Sequence, residues 1–364
     1  MMATNSPFAE QEKEAGAVLA ERFGALLPEH FGDPGREYEA ARKAVGMVDM
    51  SFRGKIELTG ADRIRWLNGQ ITNDVKDLNP GEGKLAAALN VKGHILADLA
   101  VYGLEASIWL DLNRDRAPIV RDTFDRYIVA DDVVAANASD RYGHLMLVGP
   151  RARQLMAETA GTGVAGLLPW HHAEAWLGPV QARVIATRSL DLPSYDVIVP
   201  LDAAGKVWET LADLGSSRGL RPVGLTALDT LRIEAGWPWY GVDFDEGNLL
   251  MESLTPDHVS FTKGCYIGQE VVIRVEHQGH VNKRLSGLLV SGEVVPPPGA
   301  GILSGERTVG TVTSAILSPA LHRVIALGYV RREFWEPGTK LRISSGGESL
   351  EAEVAALPFI KPEI

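Results

Sequence analysis

An eight-residue stretch with the sequence KGCYIGQE, Lys263–Glu270, contains the only cysteine of the 364-residue chain. Gly264 and Gly268 flank the thiol, so the backbone on either side can turn tightly or approach another group closely. Lys263 lies two positions before Cys265, and a positive charge near a thiol favours the reactive thiolate. The alternative is that Cys265 is a small, buried apolar residue without a chemical role.

The residues that follow the cysteine predict a short helix over Ile267–Glu276. Three valines of this segment fall on one stripe, and Glu270 and Arg274 stand four positions apart, as ion pairs on helices do. The positive end of a helix dipole also favours a thiolate nearby. We therefore take Cys265 and Lys263 as candidate catalytic residues.

The composition is that of a soluble globular protein, with 45% hydrophobic and 23% charged residues. A chain of 364 residues exceeds what one core supports, so we expect two or three domains. The net charge of −11 argues against broad capture of nucleic acid or of anionic membranes. A lone cysteine excludes an internal disulfide, and the N-terminal residues form no apolar signal segment. These features predict a cytoplasmic protein.

The chain divides into three predicted parts. Residues 1–36 form an N-terminal leader that is partly helical, with the helix over Glu10–Phe31. Residues 37–284 predict helices packed on antiparallel strands without a regular βαβ rhythm, which is typical of an α+β fold. The proline cluster Pro296–Pro298 marks a change in composition. Residues 285–364 are short strands separated by Gly and Pro, which predicts a C-terminal β-barrel.

Lys263–Tyr266, followed by Gly268–Glu270 and Arg274, resembles the signature of the YgfZ-type folate-binding proteins. These are relatives of the glycine-cleavage T-protein, an aminomethyltransferase. The resemblance covers nearly the whole chain after the predicted leader, and its most legible match to T-proteins is Leu231–Gly236. Other matching blocks are Glu37–Asp62, Asn90–Asp98, Tyr127–Val133 and Tyr240–Asp243. The resemblance implies a fold of three lobes around a central hole that tetrahydrofolate enters.

The resemblance also implies residues that contact the folate. Arg232 is the candidate for the anionic glutamate tail, because a guanidinium binds carboxylates well. The alternative for Arg232 is a structural ion pair with Glu234 or Asp229. Trp239 and Tyr240 are candidates for the wall that holds the flat pterin, although aromatic residues in apolar stretches also belong to cores.

Carboxylates are the second set of residues that the resemblance indicates. T-proteins have an Asp-Asp pair at the end of the turn that begins at Asn90, and this chain has Ala97 and Asp98 there. Asp98 is therefore the candidate for one-carbon transfer, with a strand-edge or capping carboxylate as the alternative. Asn90 is a candidate folate contact. The family's carboxylate that grips the pterin is replaced by the segment Ser189–Asp196, in which Asp191 is the candidate substitute.

The resemblance, together with these residues, implies three alternative functions. The first is a tetrahydrofolate-binding accessory protein that supports iron–sulfur cluster assembly or repair in client enzymes, with Cys265 as its reactive group. The second is a folate-dependent aminomethyl or methyl transferase that uses Asp98. The third is a binding module with a purely structural folate. His277 and His280 have no third ligand in the pattern, so no metal site is predicted. The oligomeric state stays open.

Overall fold

The computed structural model describes residues 4–361, apart from the side chains of residues 277 and 278. The ends of the predicted leader and barrel, residues 1–3 and 362–364, lie outside the described residues, as does the side chain of His277. The helices are α1 (Ala9–Glu14), α2 (Pro34–Lys43), α3 (Arg63–Asn68), α4 (Ala117–Asp125), α5 (Ala152–Thr159), α6 (Thr162–Ala165), α7 (Ala204–Ser216), α8 (Leu225–Glu234), α9 (Leu250–Ser253) and α10 (Gln269–Gln278). The strands are β1 (Thr4–Asn5), β2 (Val18–Arg22), β3 (Ala25–His30), β4 (Val45–Asp49), β5 (Arg53–Thr59), β6 (Gly83–Leu89), β7 (Ile95–Gly103), β8 (Ile108–Asn113), β9 (Val134–Asn137), β10 (Tyr142–Val148), β11 (His172–Leu177), β12 (Val180–Thr187), β13 (Ser194–Pro200), β14 (Leu220–Val223), β15 (Lys283–Val290), β16 (Gly301–Ser304), β17 (Arg307–Ser318), β18 (Arg323–Arg331), β19 (Lys340–Ser345) and β20 (Glu348–Ala355). None of the helices between residues 4 and 361 has the length and apolar character needed to cross a membrane.

Two sheets form the main body of the protein. The first sheet has the strand order β6-β7-β8-β5-β9 and is antiparallel throughout. The second sheet has the order β11-β12-β13-β10-β4-β14 and is antiparallel except for the pair β4–β14. Each sheet packs on its own helices, α3 and α4 for the first and α5 and α7 for the second. This arrangement confirms the predicted α+β class.

The two sheets also pack against each other through apolar side chains. Leu85, Tyr102 and Trp109 of the first sheet form one buried cluster with Ile185 and Ile198 of the second. Contact of this kind fixes the position of one sheet relative to the other, because packed interiors deform little. Side chains that point from both sheets into this junction therefore come into reach of each other.

The prediction of a helix over Glu10–Phe31 is wrong. Only α1 is helical there, and a hairpin of β2 and β3 follows it. Gly16 has a φ of +84°, and the hairpin turn has two left-handed residues, Phe23 at +53° and Gly24 at +75°. Consecutive left-handed residues make a tight hairpin turn and cannot continue a right-handed helix. Leu27 of β3 is fully buried beside α8, so this hairpin is part of the packed body.

The C-terminal strands close into a barrel with the order β15-β18-β17-β16-β19-β20. Its core is aliphatic, and buried hydroxyls of the barrel together with an apolar cluster join it to α8. Glu234 at the end of α8 accepts hydrogen bonds from Ser318 of the barrel at 2.5 Å and from Tyr38 of α2 at 2.9 Å. The predicted β-barrel is confirmed, and its joint to the body is polar as well as apolar.

Candidate active site

A central cavity, partly open to solvent, lies where the two sheets meet. Its walls come from the two sheets, from α8 and from the loops that connect them. The lining residues include Arg53, Asp98, Asp111, Asn113, Thr187, Asp196, Trp170, Trp237, Trp239, Tyr240 and His258. The space between these walls, counted out to the open solvent at the mouth, is about 750 Å³.

The wall from the first sheet is charged because its strands place ionisable residues on one face. Arg53 and Lys55 alternate along β5, and their cross-strand partners on β8 are Asn113 and Asp111. Residues two apart on a strand share a face, so all four side chains point the same way. Arg53 Nε lies 2.6 Å from Asp111 Oδ1, and its Nη1 lies 2.9 Å from Asn113 Oδ1.

Asp98 of β7 lies on this wall and reaches the cavity. Its Oδ2 lies 3.6 Å from Arg53 Nη1, while its Oδ1 is buried and has no hydrogen-bond partner among the described residues. A buried carboxylate oxygen without a donor is costly, so this atom is a point where a ligand can donate. The structure thus places Asp98 where the sequence predicted a carboxylate for chemistry.

The wall from the second sheet contributes a second carboxylate, Asp196 of β13. His144 of β10 is its buried neighbour, with Nε2 at 3.3 Å from Asp196 Oδ2. The other oxygen of Asp196, Oδ1, is buried without a partner in the described part of the chain. Each of the two sheets therefore presents one carboxylate with an unused acceptor to the cavity.

Burial and charge shift the titration of three groups around the cavity. Burial alone would raise the pKa of Asp111, but the positive charges of Lys55 and Arg53 outweigh it and hold that pKa below its ordinary value. Burial raises the pKa of Tyr102. Burial lowers the pKa of His258, although the charge of Asp98 acts in the opposite direction. At neutral pH the structure therefore has an ionised Asp111 and a neutral His258.

Aromatic rings cover the remaining faces of the cavity. Trp170 and Trp237 stack with their ring centroids 6.2 Å apart, and Trp237 lies 6.2 Å from the ring of His258. Trp239 packs on Phe52 at 5.7 Å. Trp239 and Tyr240 both line the cavity, where the sequence predicted the pterin wall. Flat apolar faces beside a few aimed polar groups are typical of cofactor sites.

Arg232 lies beneath this wall and is fully buried. Its guanidinium forms an ion pair with Asp243, and its Nε and Nη2 donate to Asp229 at 2.6 Å and to Ser314 at 2.7 Å. Its Cζ lies 4.9 Å from the ring centroid of Trp239. Arg232 is not among the lining residues, so its geometry favours the structural ion pair over contact with a glutamate tail.

Asn90 and Asp191, the other two predicted folate contacts, lie outside the lining. Asn90 Oδ1 accepts hydrogen bonds from the backbone of Lys92 at 2.9 Å and of His94 at 3.2 Å, so the side chain shapes its own turn. Asp191 has a φ of +52° in the loop between β12 and β13. Its neighbour Leu190 lines the cavity, whereas Asp191 does not.

Cys265 is exposed and does not line the cavity. Its loop is held on both sides. Lys263 Nζ donates to the carbonyl oxygens of residues 68, 71 and 73 at 2.6–2.8 Å, and Tyr266 packs in a buried apolar cluster. The helix begins at Gln269, later than predicted, after Gly268 at a φ of +80°. A side chain at Gly268 would lie 2.7 Å from the carbonyl oxygen of Asn90, which explains the glycine.

Sequence reasoning missed Asp196 and the charged residues Arg53, Lys55, Asp111 and His144. Asp196 stands within the segment that replaces the family's pterin carboxylate, at a buried position of a strand. Lys55 and Asp111 are ionisable residues inside predicted strands, with apolar neighbours on both sides. An ionisable residue that is buried in a strand must be paired, and this was the available signal.

Comparisons with known proteins agree with this architecture. Residues 8–262 match the GCVT N-terminal domain, and residues 283–361 match the glycine cleavage T-protein C-terminal barrel domain. The chain is 30% identical to an aminomethyltransferase of Halothermothrix orenii, with 98% of this chain and 99% of that protein covered. It is 31% identical to a probable aminomethyltransferase of Natronomonas pharaonis, with 97% and 98% covered. The crystal structure of glycine cleavage system aminomethyltransferase T from Bartonella henselae has the same fold, with a TM-score of 0.91, 23% identity and coverage of 99% and 98%.

These matches confirm the predicted T-protein superfamily, whereas the narrower YgfZ-type assignment stays a prediction. Both family domains are found in the order and at the positions that the two sheets and the barrel occupy. The chain therefore belongs to the glycine cleavage T-protein family.

Proposed function

We propose that the central cavity binds tetrahydrofolate and that the protein is a folate-dependent aminomethyl or methyl transferase. The observation that carries the proposal is the pair of carboxylates Asp98 and Asp196, one from each sheet, each with a buried oxygen that lacks a partner in the described structure. The relatives named aminomethyltransferase support the same conclusion.

The lining fits a reduced folate. A pterin ring carries N–H donors on one edge, which suit the unused Oδ1 of Asp196, and its flat faces suit the rings of Trp239 and Tyr240. Tetrahydrofolate, when bound, supplies the nitrogen atoms that accept the one-carbon group. Asp196 would hold the ring by its edge, and the aromatic wall would exclude water from its faces.

Asp98 fits the amine from which the one-carbon group comes. The two cations Arg53 and Lys55 stand against the three carboxylates Asp98, Asp111 and Asp196, so these five residues have one carboxylate in excess. A site with excess negative charge and unused acceptors favours a protonated amine. Asp98 would position that nitrogen, and the neutral His258 nearby is available to accept a proton.

Isothermal titration with tetrahydrofolate tests the proposal. The wild-type protein should bind, and Asp196→Asn should weaken binding about tenfold or more, because a charge-assisted hydrogen bond is lost. Asp191→Asn is the matched control, since its side chain lies outside the lining and asparagine tolerates the left-handed backbone there. No binding by the wild type, or equal losses in both variants, would overturn the assignment.

The exposed thiol supports a second candidate function, the YgfZ-type accessory role in iron–sulfur cluster assembly or repair. Cys265 is accessible, and Lys263 and Tyr266 fix the loop on either side of it. Under this role Cys265→Ser should abolish complementation of a strain that lacks the protein and should leave tetrahydrofolate affinity unchanged. Full complementation by the serine variant would dispose of the role.

A further inference from the structure

Two buried residues behind the cavity, Lys55 and His144, connect its two carboxylate walls. We propose that they are positioning residues, which orient Asp196 so that its Oδ1 faces the ligand. The proposal rests on the proposed function, because the ligand in question is the folate. Neither Lys55 nor His144 lines the cavity, so their effect would pass through Asp196.

The first step determines which ring nitrogen of His144 carries the proton. Lys55 is 2% exposed, and its Nζ lies 2.5 Å from Asp111 Oδ2 and 3.2 Å from His144 Nδ1. An ammonium group has donors only. Nδ1 of His144 must therefore accept from Lys55, and the proton of the neutral ring is on Nε2.

The second step is the orientation of Asp196. His144 is 3% exposed, and its Nε2 lies 3.3 Å from Asp196 Oδ2. The contact lacks hydrogen-bond geometry, so a proton on Nε2 acts on Oδ2 by electrostatic attraction. Oδ1, which also has no hydrogen-bond partner in the described part of the chain, is left for the cavity. Without Lys55 the ring would be free to adopt the other tautomer, which puts a lone pair opposite the carboxylate.

The third step joins the two walls. Asp111 accepts from Arg53 at 2.6 Å through Oδ1 and lies beside Lys55 through Oδ2. Arg53 in turn lies 3.6 Å from Asp98. The charges alternate from Asp98 to Lys55, and the ring of His144 links Lys55 to Asp196, so each group is oriented by the next. These contacts, from Asp98 through Arg53, Asp111, Lys55 and His144 to Asp196, form what we call the relay. The relay couples the carboxylate of the first sheet to that of the second.

Substitutions at His144 test the relay through a rescue. His144→Leu removes the donor and should weaken tetrahydrofolate binding about tenfold or more. His144→Gln keeps an N–H at the end of a side chain of similar reach and should bind within about threefold of the wild type. If the glutamine variant binds as weakly as the leucine variant, the relay is refuted.

Nitrogen-15 spectra of the His144 ring give a readout that does not depend on activity. The wild type should show the proton on Nε2, and Lys55→Met should remove this preference. The double variant Lys55→Met/Asp111→Asn removes both members of the ion pair and serves if the single variant does not fold. A wild-type ring with its proton on Nδ1, or a spectrum that neither variant changes, refutes the relay. Failure of the wild type to bind tetrahydrofolate would instead refute the proposed function. The spectra would then still show whether Lys55 determines the tautomer of His144.

Discussion

Replacing Arg232 with methionine should lower the free energy of unfolding by about 3–5 kcal/mol, the cost of removing one partner of a buried ion pair. The side chains of Arg232 and Asp243 are 1% and 0% exposed, so water cannot replace the lost partner. Asp243 also accepts from the hydroxyls of Thr313 and Ser314 on β17. The loss would therefore loosen the joint between α8 and the barrel. Methionine keeps a long side chain beside Trp239 and removes the charge that lies over its ring.

Urea unfolding with tryptophan fluorescence measures this effect, and a double-mutant cycle isolates it. Asp243→Asn should also be destabilising, and the double variant Arg232→Met/Asp243→Asn should lose much less than the sum of the single losses, because neither charge is then left unpaired. Asp229→Asn is the control. Asp229 is 41% exposed, so its ion pair with Arg232 should contribute at most about 1 kcal/mol. An Arg232→Met variant as stable as the wild type, or strictly additive losses, would refute the reasoning.

The same variant separates the two interpretations of Arg232. With a structural ion pair, the folded variant should bind tetrahydrofolate within about threefold of the wild type. With a role in holding the glutamate tail, it should lose tetrahydrofolate affinity and keep its affinity for a tetrahydropterin without a tail. The second pattern would overturn our interpretation of the buried guanidinium and restore Arg232 as a ligand residue.

Three further predictions concern Asp98 in the cavity, Lys263 in the loop that carries Cys265, and Glu12 in α1. Asp98→Asn should slow transfer from an aminomethyl donor at least about a hundredfold with tetrahydrofolate binding retained, and unchanged turnover would remove Asp98 from the chemistry. Lys263→Met should lower the free energy of unfolding in urea by about 1–3 kcal/mol, because three carbonyl oxygens lose their donor; an unchanged midpoint would contradict this. Burial and the nearby Asp49 raise the pKa of Glu12 from 4.5 to about 9, so the native state binds this proton more tightly and stability should fall as pH rises between these values. Glu12→Gln should remove that decline in thermal unfolding scans, and an identical pH profile would show that Glu12 does not cause it.

The sequence sufficed for features that depend on local pattern. Glycine and proline between short strands predicted the barrel, and the turn that begins at Asn90 placed Asp98 on a strand that reaches the cavity. The hairpin β2–β3 was missed because it depends on the left-handed conformation of Phe23, a residue for which sequence gives no such expectation. The sequence also could not show which acid of Ser189–Asp196 reaches the cavity, because the register of β13 between β10 and β12 brings Asp196 to the lining and leaves Asp191 outside it.

Long-range partners were beyond sequence reasoning altogether. Arg232 has one partner 11 positions away and another 82 positions away in the barrel, so the sequence alone left its role open. The relay is a similar case. Lys55 and His144 are 89 positions apart and meet only because the two sheets pack on each other. Pairing between segments far apart in sequence has no signature in the spacing of residues along the chain.

The cost of the buried charges is itself an argument for a ligand. Taking ions out of water is expensive, and a buried ion pair often contributes less to stability than well-packed apolar residues of the same volume. Arg53 and Asp111 in the cavity wall and Lys55 behind it are nevertheless all buried or nearly so. Stability alone does not explain such a group, whereas the need to hold Asp98 and Asp196 with one free oxygen each does. In the double variant Lys55→Met/Asp111→Asn, the free energy of tetrahydrofolate binding should therefore weaken far more than the free energy of unfolding falls. A large loss of stability with unchanged affinity would show that the charges serve the fold instead.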